Sequence, residues 1–557
     1  MNKKTTKDIV ILSAIFFFSC LLFRRAFYGF DWSDDSYYSA IVYRFLRGDS
    51  LFSDSWDIHQ IYAVILVPLY WIYTKILGTT GIILFSRLIR ALIISGESAG
   101  LYWKFRNKSG RIMSFLTSIM VLSFESSFGL SYNTMMIEAS IMAVLLLPIG
   151  EKHKGFLYFF ASGFFSGIAV QAYPSIALVV PCFVVYIILN ESTNKWKNLT
   201  WYISGGIAVF LFFVFFLCYN SSLEALQKNI HYLFVDSEHN EGHFSLHTHY
   251  SGLQELIDKR VIVLLIISNL LAVTTWIIKG VSKKVVQSIV IAILFVVVFM
   301  QWINIQAEYS KGAIHYRLFF SISLVFPTLL LLNKCKWNNV VLLYLGGMLG
   351  SIGVNIATNN GPTFYVYPYM FSAVATLLYA GGMIASVLKT QKDIKKRVAI
   401  WVPAVCLIVY MFEASLNYVY RDGLLDTLKV KMEIGPAAGI YTTELKAQQY
   451  EETVEAIDNY MPKEGNVLYT KLLPFGYLCS SAKPATPRLW RTNLDYSMYE
   501  EYYDNNPEKK PDAIYIANEQ YGITNSGIVI GEYMKKYMDS TPHDTIELNC
   551  GTIIRFY

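Results

Sequence analysis

Three carboxylates fall within five positions in Phe30-Asp31-Trp32-Ser33-Asp34-Asp35-Ser36-Tyr37-Tyr38, directly after the first long apolar run. A carboxylate at the rim of a membrane can take the proton of an attacking hydroxyl, or hold a cation that neutralises a phosphate. Charge is expensive there unless it binds or reacts with something. Asp34 and Asp35 are therefore the candidate catalytic pair. A structural role competes, because Ser33 or Asp34 can cap a helix over residues 36–47. The two roles are compatible, since a capping acid is also a rigidly placed base.

A phosphate needs cations, and Lys311, His315 and Arg317 offer three in the polar stretch 308–317. The competing reading of Lys311 and Arg317 is snorkelling at a helix end. Polar side chains that could bind a hydroxyl-bearing ligand are Asp31, Asp57 and His59 around the acidic stretch, Tyr132 and Asn133 in one short turn, and Asn359 and Asn360 in another. A tyrosine at a span end is usually an interfacial anchor, and Asn-Gly is an ordinary turn sequence. His231, His239, His243, His247 and His249 crowd one segment, but only His239 and His243 share a helical spacing, and Asn240 and Gly242 oppose a helix there. A solvated acceptor-binding loop is the better reading, and no metal ligand is assigned.

The elements that must position these groups are apolar. Of 557 residues, 54% are hydrophobic and only 16% charged, where soluble domains carry about 25%. The chain reads as a polytopic α-helical membrane protein. The net charge of +6 sits mostly in short basic loops, which sets orientation and does not suggest nucleic-acid binding. Seven cysteines show no CxxC spacing; Cys479 and Cys550 share the C-terminal part and leave one disulfide open.

The basic N-terminus and Arg24-Arg25, without a small-residue cleavage site, indicate an uncleaved first span with its N-terminus in the cytoplasm. Residues 61–77 are apolar but contain Pro68 and several aromatics. If they crossed the bilayer, Lys104, Arg106, Lys108 and Arg111 would lie on the wrong side. Read as interfacial or re-entrant, they bring the later basic loops into register on the inner face. The count is then roughly thirteen spans. The outer loops carry the polar chemistry, and residues 418–557 lie outside. Helix and strand patterns alternate in that tail: a helix over 442–460, strands over 466–470 and 512–517, a helix over 528–538 and a hairpin over 545–557. That alternation predicts a small extracytoplasmic α/β domain after a transmembrane domain of residues 1–417.

On these motifs the chain resembles the GT-C superfamily of integral-membrane glycosyltransferases, among them protein O-mannosyltransferases, lipid A aminoarabinose transferases and oligosaccharyltransferases. The resemblance rests on the acidic pair Asp34-Asp35 in the first outer loop, the aromatics Tyr37-Tyr38, and Arg47-Gly48-Asp49 further on. Val67-Pro68-Leu69-Tyr70-Trp71 and Arg87-Leu88 are also similar. It covers about the first 110 residues by motif and the remainder by architecture. Aminoarabinose transferases carry Lys-Pro-Pro where this chain has Leu66-Val67-Pro68, so a phosphate contact has to come from elsewhere.

The resemblance implies a sugar transferred from a polyprenyl-phosphate donor to a glycan, lipid or protein acceptor of the cell envelope. It makes Asp34 the base and Asp35 its neighbour. Such transfer passes through an oxocarbenium-like state and needs stabilisation of the leaving phosphate. Catalysis is expected to be metal-independent or weakly metal-dependent, with a divalent cation as the one optional cofactor. The alternative is a transporter or flippase of lipid-linked sugars, for which Glu97, Glu125, Glu138 and Glu413 would be proton carriers. Their scatter shows no repeated half-to-half pattern. A non-catalytic partner in polysaccharide export is a third class. The absence of a P-loop or nucleotide fingerprint disfavours nucleotide-sugar chemistry.

Overall fold

A computed structural model of the chain describes residues 3–123, 129–147, 155–190, 194–234, 250–308 without 252 and 255, 314–332, 339–357 and 368–390. It also describes 402–470 without 403–404, 407–408, 411 and 414, then 472–490, 492–518, 521 and 530–557. The first six helices are α1 (Lys3–Arg25), α2 (Asp34–Leu46), α3 (Gln60–Leu77), α4 (Ile82–Phe105), α5 (Arg111–Leu122) and α6 (Tyr132–Leu146). Further apolar helices follow up to Tyr369–Thr390. Among the described residues, Thr5–Arg25, Gln60–Leu77, Lys195–Asn220 and Gly280–Ile303 are long and apolar enough to cross a membrane. Their outward faces carry exposed aromatics such as Phe16 and Phe215, a surface suited to lipid. The chain is a membrane protein. Helices Phe156–Ala172 and Lys195–Asn220 touch through their backbones: a Cβ on Gly163 would lie 1.8 Å from the Tyr202 carbonyl oxygen.

The ends of α1 and α4 separate two faces. At one, Asp8 accepts from Tyr102 Oη at 2.6 Å and from Arg111 Nε at 2.6 Å. At the other, Arg25 Nη2 donates to the Tyr418 carbonyl, and the start of α4 bonds to Pro436 (Ile83 N to O, 3.2 Å). Helix α3 is unbroken through Pro68. Its length and composition would let it cross, yet both its ends rest on the C-terminal part. Before it, Trp56 N bonds to the Pro487 carbonyl at 2.9 Å; after it, Gly81 N bonds to the Gly435 carbonyl at 3.0 Å. The helix, about 27 Å long, is thus held against residues 418–557 at both ends.

The C-terminal part begins with a short antiparallel pair, β1 (Val430–Lys431) and β2 (Tyr441–Thr442). A five-stranded sheet follows, built from β3 (Asn466–Tyr469), β4 (Lys483–Pro484), β5 (Ala513–Ala517), β6 (His543–Leu548) and β7 (Gly551–Phe556) in the order β4-β3-β5-β7-β6. Strand β3 pairs parallel to β4 and β5, and the β6–β7 hairpin adds antiparallel to β5. The expected helix at 442–460 is Glu444–Tyr460, and the one expected at 528–538 is Glu532–Ser540, capped from Gly531. Cys479 and Cys550 are free thiols, so the disulfide left open does not form.

One buried ionic cluster ties this part to the end of α2. Asp49 accepts from Arg44 Nε at 2.7 Å and from Lys509 Nζ at 2.6 Å, all three being buried. Arg44 also donates to the carbonyls of Asp54, Thr486 and Pro487. The Gly48-Asp49 motif thus joins the two parts of the chain. Asp49→Asn would leave both cations buried with only Asp54, 3.5 Å from Lys509 Nζ, as counter-charge, an expected loss of about 3–5 kcal/mol. Thermal unfolding in detergent should show it as a clear drop in Tm. Asp458→Asn, which removes an exposed pair with Lys463, should leave the melt unchanged.

Candidate functional site

The acidic loop lies between α4 and the C-terminal part. Gly29 takes a φ of +88°, and a Cβ there would lie 2.5 Å from Val419 Cγ1, so the chain turns where only glycine fits. Gly29 N donates to the Tyr441 carbonyl at 2.8 Å, and Phe30 N to Asp422 Oδ2 at 2.6 Å. Phe30 and Trp32 pack on Tyr450 and Phe475. Lys446 Nζ bridges the carbonyls of Phe30 and Arg421, each at 2.6 Å. Helix α2 starts at Asp34 with Ser33 at its N-cap position, as expected, and the Ser33 carbonyl accepts from Tyr37 N at 2.7 Å, but the Ser33 side chain accepts no helix amide. Asp31 does so instead, Oδ2 accepting from Asp34 N at 2.5 Å.

The three carboxylates have different surroundings. Asp35 is 3% exposed and fully engaged: Oδ2 accepts from Arg87 Nε at 2.5 Å, and Oδ1 from Gly129 N at 2.8 Å. Arg87 also donates to the carbonyls of Ala26 and Gly29. Asp31 is equally buried, and burial raises its carboxyl against the lowering pull of Arg421 and Lys446. Asp34 keeps 14% of its side chain exposed. Its Oδ2 accepts from Tyr420 Oη at 2.6 Å and lies 3.3 Å from Arg421 Nη1. Burial, then the charge of Asp31, push the Asp34 carboxyl up to about 7, while Arg421 and the Tyr420 hydroxyl hold it down.

Beyond Asp34 stands a wall of rings. The His59 and Tyr132 rings lie 3.7 Å apart, and Tyr132 also meets Tyr38, Tyr62 and Tyr173. Asn133 follows Tyr132 in the first turn of α6. Asp57 faces inward, accepting from Tyr37 Oη at 2.5 Å and from His59 N at 3.1 Å. The structure thus gathers Asp31, Asp34, Asp35, Asp57, His59 and Tyr132 around the first turns of α2, with Asn133 next to Tyr132 in sequence.

Lys311, Asn359 and Asn360 lie outside the described residues, as do Glu125 and the histidines from His239 to His249. His315 and Arg317 fall on the helix Ile314–Ser323, and their side chains are also outside the description. His231 is exposed and bonds to the Lys228 carbonyl. Among the described residues no group of three His, Cys, Asp or Glu can hold a metal ion. The cations beside the acidic loop include Arg87, Arg421 and Lys446. The described residues therefore do not fit a divalent cation.

Tyr420 and Arg421 did not emerge from the sequence. They stand 386 positions or more from the loop they complete. The signal for them is faint: a tyrosine-arginine-aspartate triplet soon after the last apolar run. Arg421 has a positive φ of 49°, unusual for a residue with a side chain, and such strain concentrates at functional sites.

No protein-family model and no curated protein matches the sequence. Solved structures do. ArnT from Cupriavidus metallidurans bound to undecaprenyl phosphate superposes with a TM-score of 0.53 at 11% identity, over 99% of this chain and 98% of that one. The same protein in its apo state gives 0.50, again at 11% identity over 99% and 98%. The archaeal oligosaccharyltransferase AglB from Archaeoglobus fulgidus, in complex with an inhibitory peptide and a dolichol-phosphate, gives 0.47 at 9% identity, over 100% of this chain and 74% of that one. The likeness to ArnT spans nearly the whole of both chains. This chain has that fold, the one its resemblance to the GT-C superfamily implied.

Proposed function

We propose that the protein is a membrane glycosyltransferase that moves a sugar from a polyprenyl-phosphate donor to an envelope glycan, lipid or protein acceptor. The observation that carries this reading is the state of Asp34. It alone of the three loop carboxylates is part-exposed, and it is held beside a cation and an aromatic wall. Asp34 takes the proton of the acceptor hydroxyl as that oxygen bonds to the anomeric carbon. The bond from that carbon to the phosphate oxygen breaks, and polyprenyl phosphate leaves as an anion. Asp35, bound to Arg87, orients the loop. Lys311, His315 and Arg317 are assigned to the donor phosphate, with Arg421 completing the charge. Asp31, Asp57, His59, Tyr132, Asn133, Asn359 and Asn360 are assigned to the sugar and acceptor, Asp31 and Asp57 by positioning other groups. Roughly thirteen spans place the N-terminus in the cytoplasm and residues 418–557 outside, with α3 lying in the interface.

The test uses purified protein with a panel of synthetic polyprenyl-phosphate sugars and envelope glycan extracts, reading release of polyprenyl phosphate. Donor binding without release across the panel would overturn the reading in favour of transport. The pH profile is a second check. A base works only when ionised, so with the carboxyl pushed up to about 7 the rate should rise through neutral pH and level off above it. Tyr420→Phe removes a hydrogen bond that favours the ionised form, so it should move that limb to higher pH. An unmoved limb would exclude Asp34 as the titrating group.

A further inference from the structure

Arg90, Glu97 and Glu138 lie near one another inside the helical bundle, beneath the acidic loop. Arg90 Nε donates to Glu138 Oε1 at 2.7 Å, joining α4 to α6. Glu97 lies seven residues beyond Arg90 on α4 and is 0% exposed. Neither of its carboxylate oxygens has a hydrogen-bond partner, and Glu138 Oε2 has none either. Arg90, from the same helix, and Glu138, from α6, are the charged groups that act on Glu97. Helices α1, α2 and α5 also pack on α4 and bring no charge to bear on it among the described residues.

The charges do not balance. Among the described residues one guanidinium faces two carboxylates, leaving a net negative charge in the interior, and the Glu97 oxygens have no hydrogen-bond donor. Such a charge costs far more than a missing hydrogen bond. Taking up one proton removes the excess charge and turns one unpaired Glu97 oxygen from an acceptor into a hydroxyl. We propose that Glu97, Glu138 and Arg90 form a proton-binding site, with one proton held on Glu97. Arg90 balances the charge of Glu138. The site stands close beneath the acidic loop: Arg90 follows Arg87 by one helical turn, and Arg87 holds Asp35.

The test is infrared difference spectroscopy on wild type and Glu97→Gln in lipid nanodiscs at neutral pH, in H2O and D2O. A deuterium-sensitive carbonyl band of a protonated carboxyl is expected in wild type and not in the variant. It should be equally strong in sodium and choline buffers. Glu97→Gln mimics the neutral acid and should keep the wild-type Tm, whereas Glu138→Gln strands Arg90 and should lower it. Identical spectra for wild type and Glu97→Gln would overturn the proposal. A band that appears only when sodium is withheld would replace the proton with a sodium ion, and overturn it equally. Should the variant not fold, wild type alone suffices. A hydrophobic carbodiimide, which modifies protonated carboxyls, should label Glu97 by peptide mass mapping. No label in the folded protein, against labelling in an acid-denatured control, would also sink the proposal.

Discussion

Asp34→Asn is expected to lower turnover by about 10²–10⁴-fold, the usual worth of a positioned base, while donor binding persists. The amide is nearly the same size and still accepts the Tyr420 hydroxyl, so the site should keep its shape. What it cannot do is take a proton. The measurement compares release of polyprenyl phosphate with donor binding in wild type and variant, and it should also show the rise through neutral pH abolished. Asp35→Asn separates the two carboxylates. Asp35 already accepts from Arg87 and Gly129, so its loss should act on folding and loop order before chemistry. Full turnover in Asp34→Asn would remove Asp34 from the chemistry and return the acidic loop to a binding role.

Arg87→Met should be the most damaging structural change near the site. It removes the Nε bond to Asp35 at 2.5 Å and the two donated to the Ala26 and Gly29 carbonyls. Truncating one partner of a buried ion pair costs about 3–5 kcal/mol, mostly through the charge left behind. Arg87→Lys keeps the charge and loses the fork that reaches three acceptors at once, so it should fall between wild type and Arg87→Met. The deciding variant is Arg87→Met with Asp35→Asn. If the stranded Asp35 charge is the cause, the double variant should melt above Arg87→Met alone. Strictly additive losses would mean that the two residues are not coupled.

Apolar runs, basic loops and the acidic pair are local signals, and each is legible without neighbours. A span of about twenty apolar residues declares itself because backbone polar groups in lipid must pair within the segment. Strand and helix periods in the tail do the same, since β3, β5 and the β6–β7 hairpin fall where alternation and turn residues place them. Helix α2 starts two residues before the expected 36, with Ser33 at the N-cap position and the Asp31 side chain, not that of Ser33 or Asp34, accepting the first helix amide. Side-chain rotamers decide between neighbouring caps, and no spacing rule ranks them.

The sequence by itself determined that this is a polytopic membrane protein with an acidic loop after its first long apolar helix and an α/β tail, because hydropathy and period belong to single segments. Only the tertiary structure told the three aspartates apart. Asp31 became a cap, Asp35 one half of a buried pair, and Asp34 a part-exposed acid lifted to about 7. It also brought Tyr420 and Arg421 across nearly four hundred positions, and buried Glu97 without a hydrogen-bond partner. Burial and partners decide the chemistry of a carboxylate, and both come from chain segments that sequence order does not connect.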